Sequence, residues 1–168
     1  MSHQVTITRT TTSTTTSAIL INTGYLKSWA GLLKFFELLL GTACVGMICY
    51  VADNRSYRYY LDVPERFFML MSVAFLIGTF CLLLSCILSL SAGTVIAKTV
   101  YEVIYHGLAF ILYLAASLTL LIEVQKYTSR YSSSTDIKLY QAASIVGLVN
   151  TVLYLMSTVF AYRSYKFV

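Results

Sequence analysis

The stretch FFMLMSVAFLIGTFCLLLSCILSLSAGTVIA, from Phe67 to Ala97, carries no charged residue over 31 positions. A single helix of that length would extend for about 46 Å, well beyond the hydrocarbon core of a bilayer at about 30 Å. The Ser-Ala-Gly-Thr segment at 91–94 offers a break, so one helix is expected to end near Leu90. The stretch therefore predicts a helix that crosses a membrane, with Pro64 just before it or in its first turn.

Three further apolar runs bring the prediction to four spanning helices. The uncharged part of the first run has only 15 residues, so its helix must reach back past Glu37 and Lys34 to cross the core. Short connections make the helices antiparallel neighbours. We predict an all-α membrane protein, a four-helix antiparallel bundle with both termini on the same side. The helices are expected over about 31–52, 67–90, 100–122 and 141–162.

The composition agrees with a membrane protein. Hydrophobic residues make up 58% of the chain and charged residues 11%, whereas a soluble domain has about 25% charged residues. The net charge of +5 comes from basic residues scattered singly between apolar runs, which excludes a nucleic-acid-binding patch. No cofactor is expected, because the sequence contains no catalytic or metal-binding motif, and we do not expect an enzyme.

Polar segments flank the helices. Residues 1–22 are rich in Thr and Ser and are expected to form a disordered tail without a cleavable signal peptide, and residues 163–168 form a short second tail. Basic residues divide six against six between the two sides, so the positive-inside rule does not decide the orientation. A glycosylation sequon at Asn54 would favour an outward first loop.

Small residues recur at four-residue spacing in three of the helices, a pattern that lets helix backbones approach closely in lipid. We expect these positions to pack the bundle internally, with contact to a partner helix as the alternative. All four cysteines fall in apolar runs and are interpreted as packing residues, with S-acylation of Cys86 as an alternative. The packing candidates are Thr42 and Gly46, then Gly78, Cys81, Ser85 and Ser89, and finally Ala143, Gly147 and Thr151.

Four ionisable residues lie within the predicted helices. Lys34 and Glu37 are three apart and are interpreted as an interfacial pair. Glu102 and His106 share a face of the third helix, where we favour an interfacial first turn over a proton relay, with Lys98 placed to pair with Glu102. We also hypothesise that Glu37 binds a polar group of a neighbouring helix.

Both ends of the predicted bundle resemble a known family. The segment GYLKSWAGLLKFFELLLGTACVGMICY, residues 24–50, resembles the first helix of MARVEL-domain proteins. The segment YQAASIVGLVNTVLYLMSTVFAYRSYK, residues 140–166, resembles their fourth helix and its basic end. The resemblance covers about residues 23–166 and looks strongest to the chemokine-like-factor-like MARVEL transmembrane proteins and to plasmolipin.

The resemblance implies cytosolic termini and a place in the plasma membrane or in endosomal and vesicular membranes. It implies as partners the lipid bilayer, including sterol-rich domains, other integral membrane proteins, and a second copy of the chain. The leading hypothesis is a non-enzymatic protein that organises membrane microdomains, vesicle trafficking or the stability of partner proteins. Two alternatives stay open, a protein that seals cell junctions and a small oligomeric channel or transporter.

Overall fold

Four long helices make up the computed structural model, which describes residues 22–54, 62–88, 96, 99–126 and 134–166. All four are long and apolar enough to cross a membrane. This confirms the prediction of an all-α bundle with four spanning helices. The helices are α1 (Trp29–Asn54), α2 (Val63–Leu88), α3 (Val100–Lys126) and α4 (Ser134–Lys166), and a short 3₁₀ helix (Thr23–Lys27) precedes α1.

Helix ends extend into polar sequence further than the apolar runs suggested. α2 begins at Val63 rather than near residue 67, with Pro64 in its first turn. The Glu65 carboxylate accepts a hydrogen bond of 3.2 Å from the Asp62 N–H, and this satisfies a backbone donor at the helix start. α3 likewise continues to Lys126, and α4 begins at Ser134. Hydrophobicity marks the part of a helix that suits lipid, whereas backbone hydrogen bonding and capping decide where the helix ends.

The helices pack in a ring in chain order. α1 contacts α2 and α4, and α3 contacts the same two helices, with the most extensive packing between α3 and α4. α1 and α3 therefore face each other across the diagonal of the bundle. Only long side chains that project into the centre can join this pair.

Polar side chains lie on the inward faces of all four helices. On α1 the buried residues recur every three or four positions and include Lys34, Glu37, Gly41 and Cys44. The outward faces carry large apolar side chains such as Leu39, Ile77 and Ile111. In lipid, apolar burial does not drive helices together, so close packing and interhelical hydrogen bonds hold them instead.

Two glycines mark close helix contacts. A Cβ at Gly147 would lie 2.5 Å from the Ser117 Oγ and 2.7 Å from the Phe68 ring, and one at Gly78 would lie 2.6 Å from the Tyr105 Oη. The stripe of Ala143, Gly147 and Thr151 on α4 faces the interior, as the internal interpretation requires.

Four other small-residue candidates face outward, so the expectation that they pack the bundle internally is wrong for them, whereas Gly78 on α2 packs against Tyr105. Thr42 and Gly46 on α1 are exposed, and a Cβ at Gly46 would meet nothing within 4 Å. Cys81 and Ser85 on α2 are exposed as well. Four-residue spacing identifies a helix face but not its direction, and on α1 the buried ionisable residues take the inward face. Ser89, the remaining candidate on α2, lies outside the described residues.

Candidate functional site

A cluster of ionisable and hydroxyl side chains lies inside the bundle. We call Lys34, Glu37, Glu102, His106 and Ser157 the polar cluster; all five are buried, and they come from α1, α3 and α4. The Lys34 ammonium donates to the Glu102 carboxylate across the diagonal. It also donates to the Tyr25 hydroxyl at 3.2 Å. Because both charges are buried, each depends on the other for compensation.

Glu37 joins α1 to α4. Its carboxylate accepts a hydrogen bond of 2.5 Å from the Ser157 hydroxyl. Its backbone carbonyl accepts a weaker bond, at 3.4 Å, from the Asn150 amide on the same helix. These contacts place a polar group of a neighbouring helix against Glu37, which is the kind of partner the sequence hypothesis named.

The imidazole of His106 lies between the two carboxylates. Its Nδ1 is 3.8 Å from Glu37 Oε2, and its Nε2 is 3.7 Å from Glu102 Oε1. Both separations exceed hydrogen-bond length, so the imidazole borders both carboxylates without a hydrogen bond to either.

The pairings differ from those expected from the sequence. Lys34 pairs with Glu102 on the opposite helix rather than with Glu37, its neighbour on α1. Glu102 lies in the first turn of α3, as expected, and the side chains of Glu102 and His106 are buried in the bundle. Lys98, the expected partner of Glu102, lies outside the described residues. Local spacing could not give these pairs, since they depend on how α1 and α3 face each other.

Hydroxyl groups continue the polar interior next to the polar cluster. Thr79 on α2 makes hydrogen bonds of 2.9 Å with the hydroxyls of Tyr105 and Tyr154. Tyr105 also donates to the backbone carbonyl of Phe75 at 3.0 Å. Tyr105 therefore lies within the bundle. The sequence did contain a signal for the polar face of α4, because Asn150, Tyr154 and Ser157 follow each other at helical spacing in an apolar run.

Tyr25 closes the polar cluster at the start of α1. Burial raises the pKa of Tyr25 to about 12, although the neighbouring Lys34 ammonium lowers it, so the phenol stays protonated at neutral pH. The segment is held by a 2.7 Å hydrogen bond from the Asn22 N–H to the Ile87 carbonyl on α2. Gly31 permits this approach, since a Cβ there would clash with the Tyr25 backbone.

Neither modification candidate has a strong structural basis. Cys86 is 2% exposed, so an acyl donor cannot reach its thiol in the folded bundle. The exposed cysteines are Cys49 and Cys81. Asn54 is the last residue of α1, and its side-chain amide donates to the Tyr50 carbonyl at 2.9 Å. Glycosylation at Asn54 stays a prediction, because the rest of its sequon lies outside the described residues.

A cavity of about 270 Å³ opens next to the polar cluster, between the start of α1, the start of α3 and the end of α4. We call it the end cavity. Its polar lining comes from Lys34, Glu102 and Ser157, and its apolar lining includes Trp29, Leu33 and Phe160.

The chemistry of the polar cluster is that of ion pairing rather than of covalent catalysis. Ser157 donates to Glu37 and not to His106, so the three residues do not have the serine–histidine–acid order of a nucleophilic triad. Among the described residues, no three His, Cys, Asp or Glu side chains are grouped to hold a metal ion. The arrangement can hold helices together, bind a polar group from the end cavity, or carry a proton between carboxylates.

Comparison with known proteins gives one match. The family model for MARVEL, described as a membrane-associating domain, matches residues 25–160, which include all of α1, α2 and α3 and most of α4. No curated protein and no solved structure matches the chain.

Proposed function

Because the chain belongs to the MARVEL family of membrane-associating domains, we propose that it is a non-enzymatic scaffold within the membrane. In this role it organises membrane microdomains, vesicle trafficking or the stability of partner membrane proteins. Its outer helix faces bind transmembrane helices of those partners, and its termini lie in the cytosol. The chain itself is an integral protein with four spanning helices.

The observation that carries this proposal is the outward direction of two small-residue stripes. Thr42 and Gly46 lie on the outer face of α1, and Cys81 and Ser85 lie on that of α2. The Thr42 hydroxyl donates to the Leu38 carbonyl at 2.8 Å, so its polar group is satisfied within its own helix. Small, uncharged side chains on a helix face let the backbone of a partner helix approach closely.

The inward direction of the charges favours a scaffold over a channel. The Lys34 ammonium is paired with the Glu102 carboxylate, and the Glu37 carboxylate accepts a hydrogen bond from Ser157, so these three charged groups have partners inside the bundle. A conduction path would need such groups to line an aqueous pore. The channel alternative rests on the presence of ionisable residues within the helices, which mark ion pathways in other membrane proteins.

The scaffold role can be tested by proximity labelling in cells, with the labelling enzyme fused to the N-terminal tail. We compare the wild-type protein with Gly46→Leu, which fills the outer stripe of α1, and with Ala115→Leu, an equally exposed position on α3. The proposal expects a defined set of membrane proteins whose labelling falls at least threefold in Gly46→Leu and stays unchanged in Ala115→Leu. An identical neighbourhood in all three proteins would contradict it.

The same experiment separates the alternatives. Labelled neighbours confined to contacts between cells would replace the scaffold role with the junction-sealing one. Labelling of extracellular proteins alone would contradict cytosolic termini. A parallel flux assay in liposomes tests the channel: flux that is abolished by His106→Ala would replace the scaffold role.

A further inference from the structure

We propose that the end cavity binds the head of a membrane lipid whose polar group is an uncharged hydroxyl. Three side chains of the polar cluster line this cavity, and they are only 2% (Lys34), 5% (Glu102) and 6% (Ser157) exposed. The protein around these three side chains therefore fixes their positions, although each of them borders the end cavity. This combination of a fixed polar lining with apolar walls is typical of a ligand site.

The polar lining offers both a donor and an acceptor. An ammonium group has three N–H donors, and within the described residues Lys34 directs two of them to Tyr25 and Glu102. A carboxylate has about four lone-pair positions, more than the Lys34 bond uses at Glu102. A hydroxyl group can accept from Lys34 and donate to Glu102 at the same time. An alcohol head therefore satisfies both residues without disturbing their ion pair.

Charge selects against most lipid heads. Lys34 and Glu102 compensate each other, so the charged part of the lining is neutral overall. A phosphate would enter next to the Glu102 carboxylate, and a choline ammonium has no N–H to donate. Burying either charge in this site carries a desolvation cost that the lining does not offset. A neutral head avoids this cost.

The walls and the size fit the upper part of a lipid. Leu33 and Phe160 give an apolar surface, and Trp29, at 73% exposure, stands in the lining where an indole suits the headgroup level. The volume of about 270 Å³ is below that of sites that enclose a whole drug-sized ligand. The cavity thus takes the head and its first carbons, and the chains extend from its opening into the surrounding lipid.

This site is independent of the proposed partner contact. The end cavity uses α1, α3 and α4 next to the polar cluster, whereas Gly46 is exposed on the outer face of α1 and does not line the cavity. A failure of lipid binding would therefore leave the scaffold role untouched, and the reverse also holds.

The test uses the full chain in nanodiscs with a photoactivatable diacylglycerol, whose reactive group lies close to the head. Unlabelled diacylglycerol is expected to reduce crosslinking at least fivefold, and the same excess of phosphatidylcholine or phosphatidic acid less than twofold. Ceramide and a sterol as further competitors distinguish the sources of the hydroxyl. Crosslinks are expected on residues 29–34 and 157–164. Equal competition by the phospholipids would overturn the proposal.

A cavity-filling variant tests the location. Ala161 lines the end cavity, so Ala161→Phe is expected to reduce specific crosslinking at least fivefold, while Ala115→Phe, on the outer face of α3, leaves it unchanged. Ala30→Phe, in another part of the lining, gives a second variant should the first fail to fold. Unchanged crosslinking in a folded cavity-filling variant would overturn the proposal.

The single tryptophan gives a readout without crosslinking. Trp29 lines the end cavity and is the one tryptophan in the sequence, so all indole fluorescence comes from this site. A diacylglycerol brominated near its head is expected to quench it more strongly than an equally brominated phosphatidylcholine, and the difference is expected to disappear in Ala161→Phe. Equal quenching by the two lipids in the wild-type protein would contradict the proposal.

Discussion

The carboxylate of Glu37 on α1 accepts a hydrogen bond of 2.5 Å from Ser157, which lies 120 residues later on α4. The first and last spanning helices are thus joined by a polar contact inside the bundle. Because the Glu37 side chain is fully buried, the carboxylate relies on protein groups for its stabilisation. The contact therefore holds α4 against α1 and closes the ring of four helices.

Removing the donor should weaken this closure. Ser157→Ala leaves the buried Glu37 carboxylate without its hydroxyl partner, and we expect a loss of about 1–3 kcal/mol in the free energy of unfolding. The matched control is Ser85→Ala, because Ser85 is exposed and donates to a carbonyl of its own helix. Unfolding in mixed micelles of a mild detergent and SDS measures both. Equal stability of the two variants would contradict the role of Ser157.

Glycine substitutions should separate inner from outer small residues. At Gly147 an added methyl group would meet Ser117 and Phe68, so Gly147→Ala is expected to destabilise the bundle by about 1–3 kcal/mol. Gly46→Ala adds the same group where no atom lies within 4 Å and is expected to be neutral or slightly stabilising. The same unfolding assay gives the comparison, and a larger loss at Gly46 would show that the helix faces are assigned wrongly.

Thiol accessibility should divide the cysteines into two pairs. Cys44 and Cys86 are buried, whereas Cys49 and Cys81 are exposed. In variants that retain one cysteine each, we expect a lipid-soluble maleimide to label the exposed pair at least tenfold faster than the buried pair, with equal labelling of all four after denaturation in SDS. Rapid labelling of Cys86 in the folded protein would restore it as an acylation candidate.

Cavity filling should act on lipid binding and not on partner binding. Ala161→Phe closes the end cavity but leaves the outer stripe of α1 unchanged, so it is expected to keep the wild-type set of labelled neighbours in cells. Gly46→Leu is expected to do the opposite and keep lipid crosslinking. Measuring both readouts on both variants gives a two-by-two comparison, and loss of both activities in either variant would show that the two surfaces are coupled.

The number and the type of the helices could be predicted from the sequence because lipid imposes a length and an apolar composition on each span. The uncharged 31-residue stretch alone required a spanning helix, and α2 follows from it. The direction of each helix face could not be predicted in the same way. In a helix that is apolar all round, lipid-facing and buried residues have similar hydrophobicity, so Gly46 and Gly147 look alike in the sequence and differ in the fold.

The polar cluster, like the fold, could be predicted only in part from the sequence. Glu102 and His106 share one helix face because their spacing is local, and the sequence predicted this. Their partners Lys34 and Glu37 come from a helix across the bundle, so the pairs depend on packing that spacing does not encode. Ser157 was missed because a serine in an apolar run gives a weak signal by itself, although its spacing from Asn150 and Tyr154 places all three on one face.

Charges that pair inside the bundle join α1 to α3, and a double-mutant cycle at Lys34 and Glu102 tests this pairing most directly. Lys34→Met and Glu102→Met each leave a buried charge uncompensated, and each is expected to cost about 3–5 kcal/mol in the free energy of unfolding. The double variant removes both charges and is expected to recover most of that loss, because an apolar pair of similar volume replaces the ion pair. If the two losses simply added in the double variant, the residues would not interact, and the paired interior described here would be contradicted.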